Sequence, residues 1–186
     1  MIAIGFDPGL AVSGAALVRR VTGPRPYRIE AVDEIKTAGD CEASRLVQLV
    51  DWSRSLASEW ARDWPANNGH GPAFAVEGFE VQGSNSRAVA RFLNACRAGL
   101  RAQAAIEIGV MRGAGGACAA VNPGQWHRAM KVPKSSTGKR SEIKSNARRW
   151  LTVICENVSA TKSDHQVDAA FVAIHELNRS RICVQI

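Results

Sequence analysis

Three short strand-like segments open the chain, at residues 2–6, 14–19 and 27–35, and the segment Thr22-Gly23-Pro24-Arg25-Pro26 separates the second from the third. Runs of this length bounded by glycine and proline read as strands, and their tight connections predict an antiparallel meander. The period then changes. Over residues 42–64, Leu46, Leu49, Val50, Leu56, Trp60 and Trp64 fall on helical spacings, which predicts a long helix with one apolar face, ended by Pro65. The continuous apolar run at 73–76 is short enough for a buried strand. A second long helix is predicted at 86–108, with Val89, Phe92, Leu93, Cys96 and Leu100 as its stripe and alanines along its flanks. Residues 113–116 read as a loop and 117–121 as a strand. Asn122-Pro123 supplies an N-cap and a first-turn proline. Further helices are predicted at 139–155 and 164–178, the second opened by the capping-box pattern Ser163-x-x-Gln166. The order βββ-α-β-α-β-α-α predicts an α/β fold with a mixed five-stranded sheet flanked by helices. No repeat, linker or composition shift interrupts residues 1–186, so they read as one domain.

Composition narrows the class. With 46% hydrophobic and 22% charged residues among 186, the chain can build an ordinary core, which excludes disordered and collagen-like architectures. Cys41, Cys96, Cys118, Cys155 and Cys183 are odd in number and contain no CxxC pair. They read as free or buried thiols rather than a disulfide framework or a zinc site. No apolar run approaches the ~20 residues that span a bilayer, and Asp7 interrupts the first apolar stretch before it can act as a signal peptide. The expectation is a soluble, cytoplasmic protein with no membrane partner.

The charge is concentrated. Of the net +7, +6 falls between positions 131 and 149, where Lys131, Lys134, Lys139, Arg140, Lys144, Arg148 and Arg149 face only Glu142. A lysine- and arginine-rich helix is often just a solvated face. Here Lys134-Ser135-Ser136-Thr137-Gly138-Lys139 reads as a flexible, hydroxyl-bearing loop flanked by cations, which suits nucleic-acid phosphates. Gly138-Lys139 is no phosphate-binding P-loop, because Pro133 and Arg140 stand where that pattern needs glycine and Ser or Thr. His70, His127 and His175 read as structural or exposed.

Against this basic segment stands a set of acids. The strand at 2–6 runs into Asp7-Pro8-Gly9, a good turn on residue preference alone. Glu77 likewise follows an apolar strand and precedes a glycine. In Asp164-His165-Gln166-Val167-Asp168, the spacing puts Asp164, His165 and Asp168 on one helix face near the N-terminus, where the helix dipole by itself accounts for Asp164. Asp168 is harder to explain structurally, since residues 169–174 are almost wholly apolar and an acid among them needs a partner or a cation. Carboxylates gathered in one cleft repel unless a cation neutralises them. Hard oxygen donors with one imidazole suit Mg²⁺ or Mn²⁺, and paired ions of this kind serve phosphodiester hydrolysis.

Ile4-Gly5-Phe6-Asp7-Pro8-Gly9-Leu10 with Ser13-Gly14, the strand-end Glu77, and His165-x-x-Asp168-Ala169-Ala170 resemble the RuvC-type Holliday junction resolvases of the RNase H-like superfamily. The resemblance runs the length of the chain. Residues 87–105 look like the family's alanine- and glycine-rich central helix, and Asn122-Pro123-x-x-Trp126 followed by Lys131, Gly138-Lys139 and Lys144 looks like its post-strand helix and basic loop. The resemblance implies a homodimeric, structure-selective endodeoxyribonuclease that resolves four-way (Holliday) junctions by paired symmetric cuts. It implies two Mg²⁺ ions per site, replaceable by Mn²⁺, held by Asp7, Glu77, His165 and Asp168. Asp7 would bridge the ions, Glu77 and Asp168 would each hold one, and His165 would ligate or orient the attacking water. Lys131, Lys134, Lys139, Arg140, Lys144 and Arg148 would contact DNA, and the 86–108 helix is the candidate dimer interface.

Two features depart from the family pattern. Asp164 is an extra carboxylate beside His165, so either residue can be the fourth ligand. The family's aromatic wedge lies three residues after the glutamate, whereas Phe79 lies two after Glu77, leaving Phe79 as wedge or as packing residue. The divergent loops point towards a phage or prophage member. Three other readings share these residues. The Asp-x-Gly opening also looks like the phosphate hairpin of sugar-kinase and actin-type ATPases, although 186 residues do not hold their two large lobes. An RNase H-like nuclease of flaps, forks or RNA–DNA hybrids is closer, and a non-cleaving branched-DNA binding module is a third.

Overall fold

The computed structural model describes residues 1–63, 71–78, 88–133 and 135–182. Trp64, Pro65, the predicted helix start at 86, Phe79, Lys134, His70 and Cys183 lie outside the described residues. The strands are β1 (Ile2–Asp7), β2 (Val12–Arg20), β3 (Tyr27–Lys36), β4 (Ala73–Glu77), β5 (Cys118–Val121) and β6 (Cys155–Glu156). The helices are α1 (Glu42–Asp63), α2 (Ala88–Ala114), α3 (Pro123–Ala129), α4 (Arg140–Ile154) and α5 (Asp164–Ile182).

Side-chain alternation along β1 decides the layering. Ile4 and Phe6 point to one face and pack with Leu17, Leu56, Trp60, Val76, Ile106 and Val110, where α1 and α2 lie. Ala3 points to the other face, into a core with Val18, Ile29, Val167, Phe171 and Leu177 that is built around α5. Both faces of β1 are therefore covered, and it is a central strand. The sheet order is β5-β4-β1-β2-β3-β6. β1, β2 and β3 form the antiparallel meander, while β4 lies parallel to β1 and β5 parallel to β4.

The sheet thus has six strands rather than five. The sixth, β6, is two residues long and pairs parallel to β3 through Tyr27 and Arg28. It is held by an ion pair of 2.6 Å between Arg28 and Glu156 and by Asn157 Nδ2 donating to Ile29 O at 2.9 Å. Two residues carry no period, so hydropathy does not reveal them. The second long helix also continues past 108, through the expected loop at 113, to Ala114. Gly109 and Gly113 face α1 so closely that a Cβ on either would meet backbone atoms of Val50 or Arg54. They are contact glycines inside the helix, which ends where Gly115 takes φ +68° and donates to Met111 O at 3.0 Å.

Two further glycines set the height of α5 above the sheet. A Cβ on Gly5 would strike the Ala169 carbonyl oxygen and the Ala173 nitrogen, and one on Gly14 would strike the His165 carbonyl group. The start of α5 therefore rests directly on β1 and β2 where β1 ends. Its first turn is closed as the sequence predicts, with Gln166 N donating to Ser163 Oγ at 3.2 Å and Ser163 N donating to Gln166 Oε1 at 3.3 Å. Among the described residues, no helix is long and apolar enough to cross a membrane.

Candidate active site

Asp7 ends β1 and Glu77 ends β4, and the parallel register Phe6↔Val76 brings these two strand ends side by side. Between β1 and β2, Ser13 Oγ donates to Gly9 O at 2.8 Å and accepts from Gly9 N at 3.0 Å, which fixes the chain as it leaves Asp7. From above, the first turn of α5 delivers His165 and Asp168. His165 Nδ1 lies 2.6 Å from Asp7 Oδ2, with the Asp7 side chain only 10% exposed. The four residues expected to form the site are thus brought together by two strand ends and one helix.

Their electrostatics show how unfavourable this gathering is without a cation. Burial, then the charge of Asp7, push Glu77 up to about 9, and Trp126 opposes them by hydrogen bonding. Burial and Asp7 also push Asp168 up to about 7, opposed by the Lys144 ammonium. The hydrogen bond to Asp7 is the largest influence raising His165. Such shifts arise when carboxyl groups share a partly dry space.

Among the described residues no three His, Cys, Asp or Glu side chains form a ready ligand shell. Asp7 is engaged by His165, and Glu77 by Trp126. The donor chemistry nevertheless fits a hard divalent cation: three convergent carboxylates and an imidazole, with Glu77 and Asp168 both pushed above the ordinary carboxylate range by burial and the neighbouring Asp7. Asp164 is drawn elsewhere. Its carboxylate pairs with Lys144 Nζ at 3.0 Å and Arg148 at 3.8 Å, tying α5 to α4.

Trp126 is a site residue that the acidic pattern does not single out. Its Nε1 donates to Glu77 Oε1 at 2.9 Å. The indole is 2% exposed and lies between the rings of His127, 3.8 Å away, and Phe171, 4.9 Å away. The Asn122 cap that starts α3 was the available signal, because it fixes where the first turn of that helix points. Asn122 Oδ1 accepts from Gly124 N at 2.8 Å.

The basic segment divides into two parts. Lys131, Lys139 and Arg140 are exposed, whereas Lys144 and Arg148 are half-buried against Asp164. The 135–137 hydroxyls are not a free phosphate cradle. Ser135 Oγ, Ser136 Oγ and Thr137 Oγ1 donate to the Glu142 carboxylate at 2.8, 2.9 and 2.5 Å, joined by the backbone N–H of Ser136 and Thr137. These bonds hold Glu142 well below the usual carboxylate range. An acid three residues into α4 takes the loop's donors for itself, so the hydroxyls do not form the phosphate cradle expected of them.

No family model matches the sequence, and neither does any curated protein sequence. The structure is similar to that of Thermus thermophilus RuvC in complex with a Holliday junction substrate, at 20% identity and a TM-score of 0.64, covering 98% of this chain and 96% of that one. It is likewise similar to a second Thermus thermophilus RuvC structure, at 19% identity and a TM-score of 0.65 with the same coverage. The chain therefore has the RuvC-type, RNase H-like fold.

Proposed function

We propose that this chain is a divalent-cation-dependent endonuclease that resolves four-way DNA junctions by paired phosphodiester hydrolysis. The observation that carries the reading is the convergence of Asp7, Glu77, His165 and Asp168 at the strand ends and first helical turn of a RuvC-type fold, in a chain whose 131–149 segment exposes Lys131, Lys139 and Arg140. Asp7, Glu77, His165 and Asp168 would hold the ions. The pairing of Asp164 with Lys144 favours His165 over Asp164 as the fourth ligand. When bound, two Mg²⁺ ions, or Mn²⁺ in their place, supply a more acidic water and neutralise charge on the scissile phosphate.

The chain's own groups supply the rest. Asp7 orients the His165 ring through Nδ1, so a proton can be held between the two beside the reacting phosphate. Trp126 keeps one Glu77 oxygen bonded and fixes the direction of the other. Lys144 brings positive charge to the rim of the acidic pocket and favours the ionised form of Asp168. Lys131, Lys139 and Arg140 attract the DNA backbone without base preference.

One of the two similar structures holds a Holliday junction substrate, which favours four-way junctions over flaps, forks and RNA–DNA hybrids. Symmetric resolution needs two sites related by a two-fold axis. An exposed apolar strip on α1 and α2, formed by Val47, Leu100, Ile108 and Met111, suits a second copy of the chain. The decisive experiment compares cleavage of junction, flap, fork, duplex and hybrid substrates with Mg²⁺ and with chelator. Mg²⁺-dependent, symmetric cuts confined to the junction are expected. Junction binding with no cleavage under any cation would leave a binding module, and equal cleavage of all substrates would remove the junction assignment. Light scattering in solution should give twice the 20.0 kDa chain mass.

A further inference from the structure

β3 carries three acids, and they differ in what they touch. Glu30 pairs with Arg19 at 2.6 Å, and Asp33 accepts from Trp52 Nε1 at 2.9 Å on the α1 face. Glu34 has a buried Oε2 with no hydrogen-bond partner among the described residues. A buried, unpaired carboxylate oxygen is costly, and its position in the sheet suggests its purpose.

Asp7 pairs with Gly14 across β1 and β2, and Gly14 pairs with Glu34 across β2 and β3. Directly opposed residues in a sheet present their side chains to the same face. Asp7 and Glu34 are therefore the two ends of one cross-strand row, about 10 Å apart at ordinary strand spacing, with a glycine between them. That glycine is where the His165 backbone rests, since a Cβ on Gly14 would meet the His165 carbonyl group and Gln166 N. The row thus reads carboxylate, gap, carboxylate, and His165 sits over the gap. Its Nδ1 is engaged by Asp7 from the β1 side.

We propose that Glu34 is a positioning residue of this site, a carboxylate that holds the His165 ring from the β3 side. The inference rests on the cation-dependent nuclease reading. An imidazole that ligates a cation through one nitrogen needs an acceptor on the other to fix its tautomer and plane. Asp7 is itself expected to hold cations, so it cannot give its full acceptor capacity to the ring. Glu34 is the remaining acid on the row, and its buried Oε2 has no hydrogen-bond partner among the described residues. Its strand position makes the placement rigid, because β3 is paired to β2 without interruption from Ala31 to Lys36.

The test uses Glu34→Gln, which keeps size, and Glu34→Ala, with thermal unfolding confirming that each folds. Mn²⁺ alone is titrated into the DNA-free protein by calorimetry, and the His165 ring nitrogens are followed by ¹⁵N NMR without metal. Loss of a carboxylate behind a ligating histidine should weaken Mn²⁺ binding roughly 10–100-fold and shift the His165 ring signals. In junction cleavage, kcat should fall while KM holds. Wild-type Mn²⁺ affinity together with unmoved ring signals in both variants overturns the assignment. Asp7→Asn in the same titration separates the two claims. If it loses Mn²⁺ while the Glu34 variants retain it, Glu34 has no such role and the nuclease reading stands. If the unaltered protein takes up no Mn²⁺, both fail.

Discussion

Trp126 Nε1 donates a 2.9 Å hydrogen bond to Glu77 Oε1 while its indole is held between His127 and Phe171. A stacked ring cannot turn away, so the donor direction is set by packing and the carboxylate is aimed by it. Trp126→Phe keeps the stack and removes the donor. We expect cleavage to fall about tenfold or more, with a loss of about 1 kcal/mol in stability. Single-turnover cleavage and urea unfolding measure the two separately; unchanged cleavage would mean that Glu77 needs no such guide.

Asp7→Asn removes the charge that faces both His165 and Glu77. Junction binding should persist in a gel-shift assay with Ca²⁺, while cleavage with Mg²⁺ falls below detection. Cleavage at the unaltered rate would contradict the role assigned to the acidic set.

The metal-free protein should lose stability as pH rises. Glu77 at about 9 and Asp168 at about 7 both lie above ordinary carboxylate values near 4. A carboxyl with a raised folded pKa binds more protons folded than unfolded, so its contribution is complete below about pH 4 and is lost as pH climbs through the folded value. His165, raised by its bond to Asp7, acts in the same direction above its unfolded pKa. Thermal unfolding from pH 4 to 9 should therefore show a fall that Glu77→Gln flattens and that Mg²⁺ offsets most at the alkaline end. A flat profile in the unaltered protein would argue against a shared acidic pocket.

Gly5→Ala is expected to cost about 3 kcal/mol or more. The new methyl would meet backbone atoms of Ala169 and Ala173, which cannot step aside as a side chain can. Raising α5 also lifts His165 and Asp168 from Asp7, so cleavage should fall even below the unfolding temperature. Denaturant unfolding with parallel kinetics reads both effects.

Neutralising Lys131, Lys139 or Arg140, all exposed, should each reduce the slope of log binding constant against log salt by about 1. Lys144 and Arg148 are partly committed to Asp164, so their removal should change the slope less and affect cleavage more. Equal slopes for every variant would mean that this segment does not meet the DNA backbone.

Local chemistry carried much of this in the sequence alone. Short strand segments with tight glycine and proline connections marked the meander, and helical spacing marked α1. The pattern Ser163-x-x-Gln166 marked the start of α5, and strand-end acids marked Asp7 and Glu77, because each signal arises within a few residues. Tertiary structure decided what joins distant positions. Asp7 meets His165 across 158 residues and Glu77 meets Trp126 across 49, and neither pair leaves a periodic trace. The height of α5 over Gly5 and Gly14 sets which acids converge, and it turns Asp164 outward to Lys144 while Asp168 faces inward. Helix spacing alone put Asp164 and Asp168 on one face; only the packed neighbours, a cationic helix on one side and a strand end on the other, gave them different partners.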